Sequence, residues 1–240
     1  MGKKIYSYLA KLKNMIVRIF TVSRIEWGDL RRREPVSRKF GLDRGRAIDR
    51  YYIESFLSRY RKDVQGRVLE IGSPHYTNSF GCSTLISDVL HAVPGNSHAT
   101  MVGDLATGEG IPKNAFDCMI LTQTFPVIYD VHTAIEHAHE ALKPGGVLLA
   151  TLSGISQISR YDMDRWGDYW RFTTASTTKM FGDVFGSDNV TVESFGNVLV
   201  ACAFLQGLAV AELTQEELDY HDPDYQVTIT VRAVRALDKK

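Results

Sequence analysis

Two groups of residues in this 240-residue chain are spaced to do chemistry. The first surrounds a strand and its turn. Val68-Leu69-Glu70-Ile71-Gly72 reads as a buried strand running into a turn, and ligands of open α/β sheets bind beyond the carboxyl ends of the strands. Glu70, Gly72 and Ser73 therefore stand where a ligand is expected. Asp88 comes 16 residues after Gly72 and is expected to end the next strand. A carboxylate there can accept hydrogen bonds from both ribose hydroxyls of a nucleoside. Asp104 is expected to end the third strand and to meet an adenine edge. The turn itself, Gly72-Ser73-Pro74-His75-Tyr76-Thr77, holds one glycine. A dinucleotide site wants several, so that backbone N–H groups reach a pyrophosphate. Pro74 has no N–H, and His75 and Tyr76 add bulk. The loop suits a nucleoside without a diphosphate. The plainer alternative is that Asp88 and Asp104 only cap strand ends.

The second group is Tyr161–Phe172, YDMDRWGDYWRF. Asp162, Asp164 and Asp168, with His75 from the first loop, are the candidate proton acceptors. Tyr161, Trp166, Tyr169 and Trp170 offer aromatic faces to a sugar or planar acceptor, and Arg171 adds a cation. The alternative is a structural lid of caps and salt bridges. Arg44, Arg46 and Arg50 form a further cluster whose guanidinium groups can fork onto a carboxylate or phosphate. Internal pairing with Asp43 and Asp49 ranks ahead of that role. The aspartate spacing fits no metal pattern. Cys82, Cys118 and Cys202 stand far apart with no zinc-ligand spacing, so no metal is expected and the thiols read as reduced.

These groups need a layered scaffold. Strand signals fall at 67–72, 84–89, 99–104, 116–123, 146–153, 189–195 and 225–234. Helices are expected at 47–62, 131–142 and 198–219, the second stopped by Lys143-Pro144-Gly145-Gly146. Strands alternating with helices argue for an α/β fold. The chain is neutral overall, yet residues 1–67 carry 18 Lys/Arg against 7 Asp/Glu. That asymmetry points either to an anionic partner or to attraction between the two parts of the chain. Residues 3–20 read as a basic amphipathic helix, open to an anionic membrane surface, to its own domain or to a second subunit as a homo-oligomer. Neither a membrane span nor a signal peptide is legible, which makes the cytoplasm the default. No strand-binding pattern of bases and aromatics is present, so nucleic acid is not an expected partner.

VLEIGSPHYT, ISDV, VGDL, FDCMILTQT and ALKPGGVLLAT resemble the ordered motifs of class I S-adenosylmethionine (SAM) dependent methyltransferases. PVSRKFGLDRGRAIDRYYIESFL, ISRYDMDRWGDYWRFT and HDPDYQVTITVRAV resemble small bacterial methyltransferases encoded beside glycosyltransferases. The resemblance implies a Rossmann-like, mostly parallel sheet with an antiparallel last strand and helices on both faces. It implies SAM as methyl donor and a glycan or natural-product acceptor. Glu70 and Gly72 would be its first-motif residues, Asp88 the ribose ligand and Asp104 the adenine contact. Leu105 would offer its backbone beside the adenine, and Gln123 would lie near the methionine end. Tyr161, Trp166, Tyr169, Trp170, Arg171, Arg44 and Arg50 would face the acceptor. Residues 1–62 would form a basic extension and cap, and 63–240 the SAM-binding domain. The leading reading is O-methylation of a sugar, glycan intermediate or natural product. Its rival is a non-catalytic methyltransferase-fold scaffolding subunit, which the shrunken glycine turn favours.

Overall fold

The computed structural model describes residues 28–82 and 86–237. The chain divides into two compact units, Met1–Glu34 and Pro35–Lys240. In the first, a 3-10 turn at Gly28–Arg31 is described; the basic helix expected at 3–20 lies outside the described residues.

The second unit is built on a seven-stranded sheet: β1 (Arg67–Ile71), β2 (Ile86–His91), β3 (Met101–Val102), β4 (Phe116–Thr122), β5 (Leu142–Ser153), β6 (Val190–Phe195) and β7 (Thr228–Val234). Their order is β3-β2-β1-β4-β5-β7-β6. The pairs from β3 to β5 are parallel, and β7 runs antiparallel to both its neighbours. This is the mixed, mostly parallel sheet that the alternation of elements predicts. The chain leaves β1 toward β2 and β3, then returns to place β4 on its other side. The crevice for a ligand opens at that reversal, beyond the carboxyl ends of β1 and β4.

Helices cover both faces: α1 (Ile48–Arg59), α2 (His75–Phe80), α3 (Val131–Ala141), α4 (Arg160–Met163), α5 (Thr174–Phe185), α6 (Val198–Gln206) and α7 (Gln215–Asp219). The period of two in a strand divides its apolar residues between the faces. Leu69 and Met119 join Ile135 of α3 and Phe181 of α5 in one core. Val68, Cys118 and Ile120 join Ile53, Phe56 and Leu57 of α1 in the other. Ile48 and Tyr52 of α1 also pack against Val200 and Phe204 of α6. The first helix is thus a core element of the unit that runs from Pro35.

Two other expectations shift. The helix expected over 198–219 breaks in two, because Gly207 leaves α6 in the left-handed region at φ +71° and a Cβ there would lie 2.2 Å from the Ser37 carbonyl oxygen. Thr214 then opens α7 with a capping box to Glu217. The second strand runs to His91 rather than stopping at 89, since Leu90 pairs with Ile71 and is buried in the core.

The charge asymmetry is met in part inside the second unit. Arg44 pairs with Glu212 and Arg59 with Glu193. The Arg44 guanidinium and the Ala209 N–H hold the Glu212 carboxyl down at about 2. A depressed carboxyl contributes stability that is present above its ordinary range and lost as pH falls through the folded value. In an NMR titration, Arg44→Ala should return Glu212 toward the ordinary 4.5, and an unmoved titration would remove Arg44 as the cause.

Candidate active site

The turn after β1 is fixed from below by Glu70. Its carboxylate accepts from the backbone N–H groups of Tyr76 (2.9 Å) and Thr77 (2.7 Å), at the start of α2. Burial pushes this carboxyl up, against the opposing pull of those two N–H groups. Glu70 is therefore a brace for the loop, with both oxygens engaged. Above it Gly72 sits at φ +78°, with its carbonyl accepting from Asn96 Nδ2 at 2.7 Å. A Cβ on Gly72 would meet nothing within 4 Å, so the space beyond it is open.

That space belongs to a cavity of about 760 Å³. Gly72, His91, Asn96, Asp104 and Leu105 line it together with Tyr161, Trp166 and Tyr169. His91 meets Trp166 edge-on with ring centres 6.1 Å apart. The Asp104 carboxylate accepts from the Ala106 N–H at 2.8 Å, and the Leu105 carbonyl is bonded to His137 Nδ1 at 2.7 Å. The volume and the mixture of aromatic faces with a few fixed polar groups suit an adenosyl-sized ligand. Pro74, at φ −84°, and Tyr76, buried against Arg50, leave no nest of N–H groups for a diphosphate. The residues present therefore fit a nucleoside such as the adenosyl group of SAM.

A second cavity, of about 110 Å³, adjoins the first at Val127. Its polar lining is Asp49, Arg50, Gln123, Ser153, Asp162, Asp168 and Arg171 with neighbouring serines. Gln123 follows directly on β4 in the left-handed region at φ +52°, a strained conformation for a residue with a side chain. Its Oε1 accepts from Ser153 Oγ at 2.5 Å, which aims the amide beside this cavity. Arg50 also lines a groove with Glu70, Ile71, Ser73, His75 and Thr122.

The structure distributes the sequence candidates differently from expectation. Asp88 does not end its strand. It lies opposite Leu69 within the sheet, where it accepts from Arg67 Nε at 2.6 Å and from Thr100 Oγ1 at 3.2 Å. His91 occupies the strand end instead. Asp104 falls two residues past β3 but lines the larger cavity, as do Gly72 and Leu105. The lid splits in two. Tyr161, Trp166 and Tyr169 line the larger cavity, whereas Asp162, Asp168 and Arg171 line the smaller. Asp164 lines neither; it is exposed and pairs with Arg160. Trp170 is a pin, its Nε1 donating to the carbonyls of Ile128 and Tyr129, each at 3.1 Å. Asp168 is bound to both terminal nitrogens of Arg171 and to the Ser159 N–H. Burial alone would raise its carboxyl, but these partners hold it below the ordinary range. A carboxylate so engaged is a poor base. His75 is exposed and stands in the groove, away from the smaller cavity. Arg44 and Arg46 pair with Glu212 and Glu54, not with Asp43 or Asp49. Sequence reasoning passed over His91, Asn96 and Asp49. The apolar Val89-Leu90 run before His91 was the signal for the first, since it carries the strand onward.

A family model described as a methyltransferase domain matches residues 74–150. No curated protein sequence matches the chain. Among solved structures, a SAM-dependent methyltransferase from Archaeoglobus fulgidus is similar with a TM-score of 0.50 and 13% identity, over 77% of this chain and 94% of that one. A SAM-dependent methyltransferase from Mesorhizobium loti covers 81% of this chain and all of its own, with 18% identity and a TM-score of 0.49. At 13% identity the likeness to the Archaeoglobus fulgidus structure speaks to the fold alone.

Proposed function

We propose that this chain, which carries a class I SAM-dependent methyltransferase domain, methylates an oxygen of a sugar, glycan intermediate or related natural product. The observation that carries the reading is the abutment of two unlike cavities at one turn. The larger is roomy and aromatic past a single-glycine loop; the smaller sets carboxylates, amides and hydroxyls among apolar walls such as Phe40, Pro126 and Phe204. In this reading SAM supplies the methyl group, with its adenosine against His91, Asp104, Leu105 and Trp166. The acceptor enters the smaller cavity by its reacting end only, since about 110 Å³ does not hold a whole glycan. Exposed Tyr129 and Tyr169, with ring centres 5.4 Å apart, offer the remainder of the acceptor an aromatic rim. A glycan extends naturally over such faces.

The residues around the smaller cavity then do three things. Gln123 and Ser153, bonded to each other, orient an acceptor hydroxyl. Asp162 forms no ion pair among the described residues and is the lid carboxylate free to receive its proton. The Asp168–Arg171 pair closes the lid over the site and excludes water. Holding acceptor and methyl group in line supplies an effective molarity of ~10⁵ M or more.

Two measurements test this. The purified chain should bind S-adenosylhomocysteine (SAH) saturably in calorimetry and transfer label from tritiated SAM to hydroxyl-bearing material in a glycan extract. Firm binding of NAD with none of SAH would sink the reading, and binding without label transfer would favour a scaffold. Trp166→Ala should weaken SAH binding about tenfold, the worth of one aromatic wall. Titration by intrinsic fluorescence reports the same contact, and an unchanged affinity would remove Trp166 from the site.

A further inference from the structure

β2 ends on a histidine, where the sequence led to a carboxylate. Ile71 pairs with Leu90, and the Gly72 N–H donates to the Leu90 carbonyl at 3.0 Å, so His91 comes to lie beside the turn after β1. Its Nδ1 stands 2.7 Å from the Val93 carbonyl oxygen, a contact that needs a hydrogen on Nδ1. Nε2 has no hydrogen-bond partner among the described residues and is the nitrogen left to take up a proton. The charges around the ring are few. Of the described residues that line the larger cavity with it, only Asp104, past β3, and Arg165, from the lid, carry a full charge. Tyr161 and Tyr169 of the lid bring phenols, and the turn after β1 brings uncharged Gly72. The Arg165 guanidinium lies over the Tyr161 ring, 3.7 Å from its centre. Asp88, in the same strand as His91, is paired with Arg67. With a neutral imidazole the formal charges of the lining cancel; an imidazolium leaves one positive charge over.

SAM and SAH differ by that same charge. SAM carries a sulfonium and SAH a neutral thioether, while their amino acid ends are alike. We propose that the proton on His91 sets the preference between the two: the neutral imidazole admits the cationic methyl donor, and the imidazolium repels it while leaving the spent product in place. This rests on the reading that the adenosyl group lies in the larger cavity. Imidazoles change charge between pH 5 and 8, where the amino acid end of either ligand does not. SAM binds the neutral form better. Its advantage is therefore present above the titration of His91 in the free protein and is lost as pH falls through it. Acidification then holds the chain in its product-bound form, a brake on turnover.

Titration calorimetry on the full chain compares SAM with SAH at about pH 7.5 and about pH 5.5, either side of the imidazole range. The ratio of SAM affinity to SAH affinity should fall about tenfold between them, the scale of a like-charge repulsion across a partly solvated cavity. His91→Gln keeps a polar side chain without the titration, and its ratio should hold within about twofold. Thermal unfolding checks that the variant is folded. A readout without any variant is NMR of the His91 ring: SAM should lower the pH at which it is half protonated, and SAH should leave it in place, by reciprocity. A ratio that stays fixed in the wild type, one that moves equally in His91→Gln, or a ring titration that SAM does not move overturns the switch alone. Failure of the wild type to bind SAM or SAH at either pH overturns the adenosyl reading with it.

Discussion

Valine at position 72 is expected to lower SAH affinity at least about 100-fold, because its two methyl groups would occupy the space an adenosyl ligand needs. Two effects combine in that number, and alanine separates them. Gly72 holds φ at +78°, a conformation that costs a residue with a Cβ about 1–2 kcal/mol. Gly72→Ala carries that strain yet projects its methyl into open space, since nothing lies within 4 Å of it. Alanine should therefore lower the unfolding midpoint and weaken SAH modestly. Valine, β-branched at a positive φ, should lower the midpoint further and abolish measurable binding. Calorimetric affinities beside thermal unfolding make the comparison. Tight SAH binding by a folded valine variant would show that the ligand lies elsewhere.

Asp88 and His91 are expected to give opposite results, although they lie in one short strand. Asp88→Ala removes the partner of Arg67 Nε and of Thr100 Oγ1. Arg67 is about a third exposed and keeps some access to water, so the loss should be about 1–3 kcal/mol of stability. SAH affinity should stay within about threefold. His91→Ala removes a wall of the larger cavity without stranding a buried charge. It should change stability little and weaken SAH about tenfold. Denaturant unfolding and calorimetry on the two variants decide the matter. A large fall in SAH affinity for Asp88→Ala, with stability intact, would return the carboxylate to the binding site.

The contrast shows what local patterning conveys. The strands at Val68-Leu69 and Cys118-Met119-Ile120 are continuous apolar runs bounded by polar residues, so the sheet was legible. Asp88 was misplaced because a carboxylate near a strand end suggests its edge. The strand is instead held to its full length by Leu90, which packs in the core. The lid was legible as a unit by its density of aromatics and carboxylates. Its division was not, because that depends on the turn of α4, which sends Tyr161 toward one cavity and Asp162 toward the other. The expected pairing of Arg44 and Arg46 with Asp43 and Asp49 went elsewhere for a similar reason, since the Glu212 that Arg44 meets lies beside it only in the folded chain.

The place of β7 has a consequence for the chain as it is made. Among the described residues β6 has β7 as its sole neighbour in the sheet, and β7 also forms one flank of β5. Synthesis therefore completes six strands before the piece that joins the sixth to the others exists. On the ribosome, the edges of β5 and β6 must wait, unpaired, until residue 234 has been added and has cleared the exit tunnel. A chain arrested before Thr228 would present two bare edges, the kind of surface that recruits chaperones or other stalled copies.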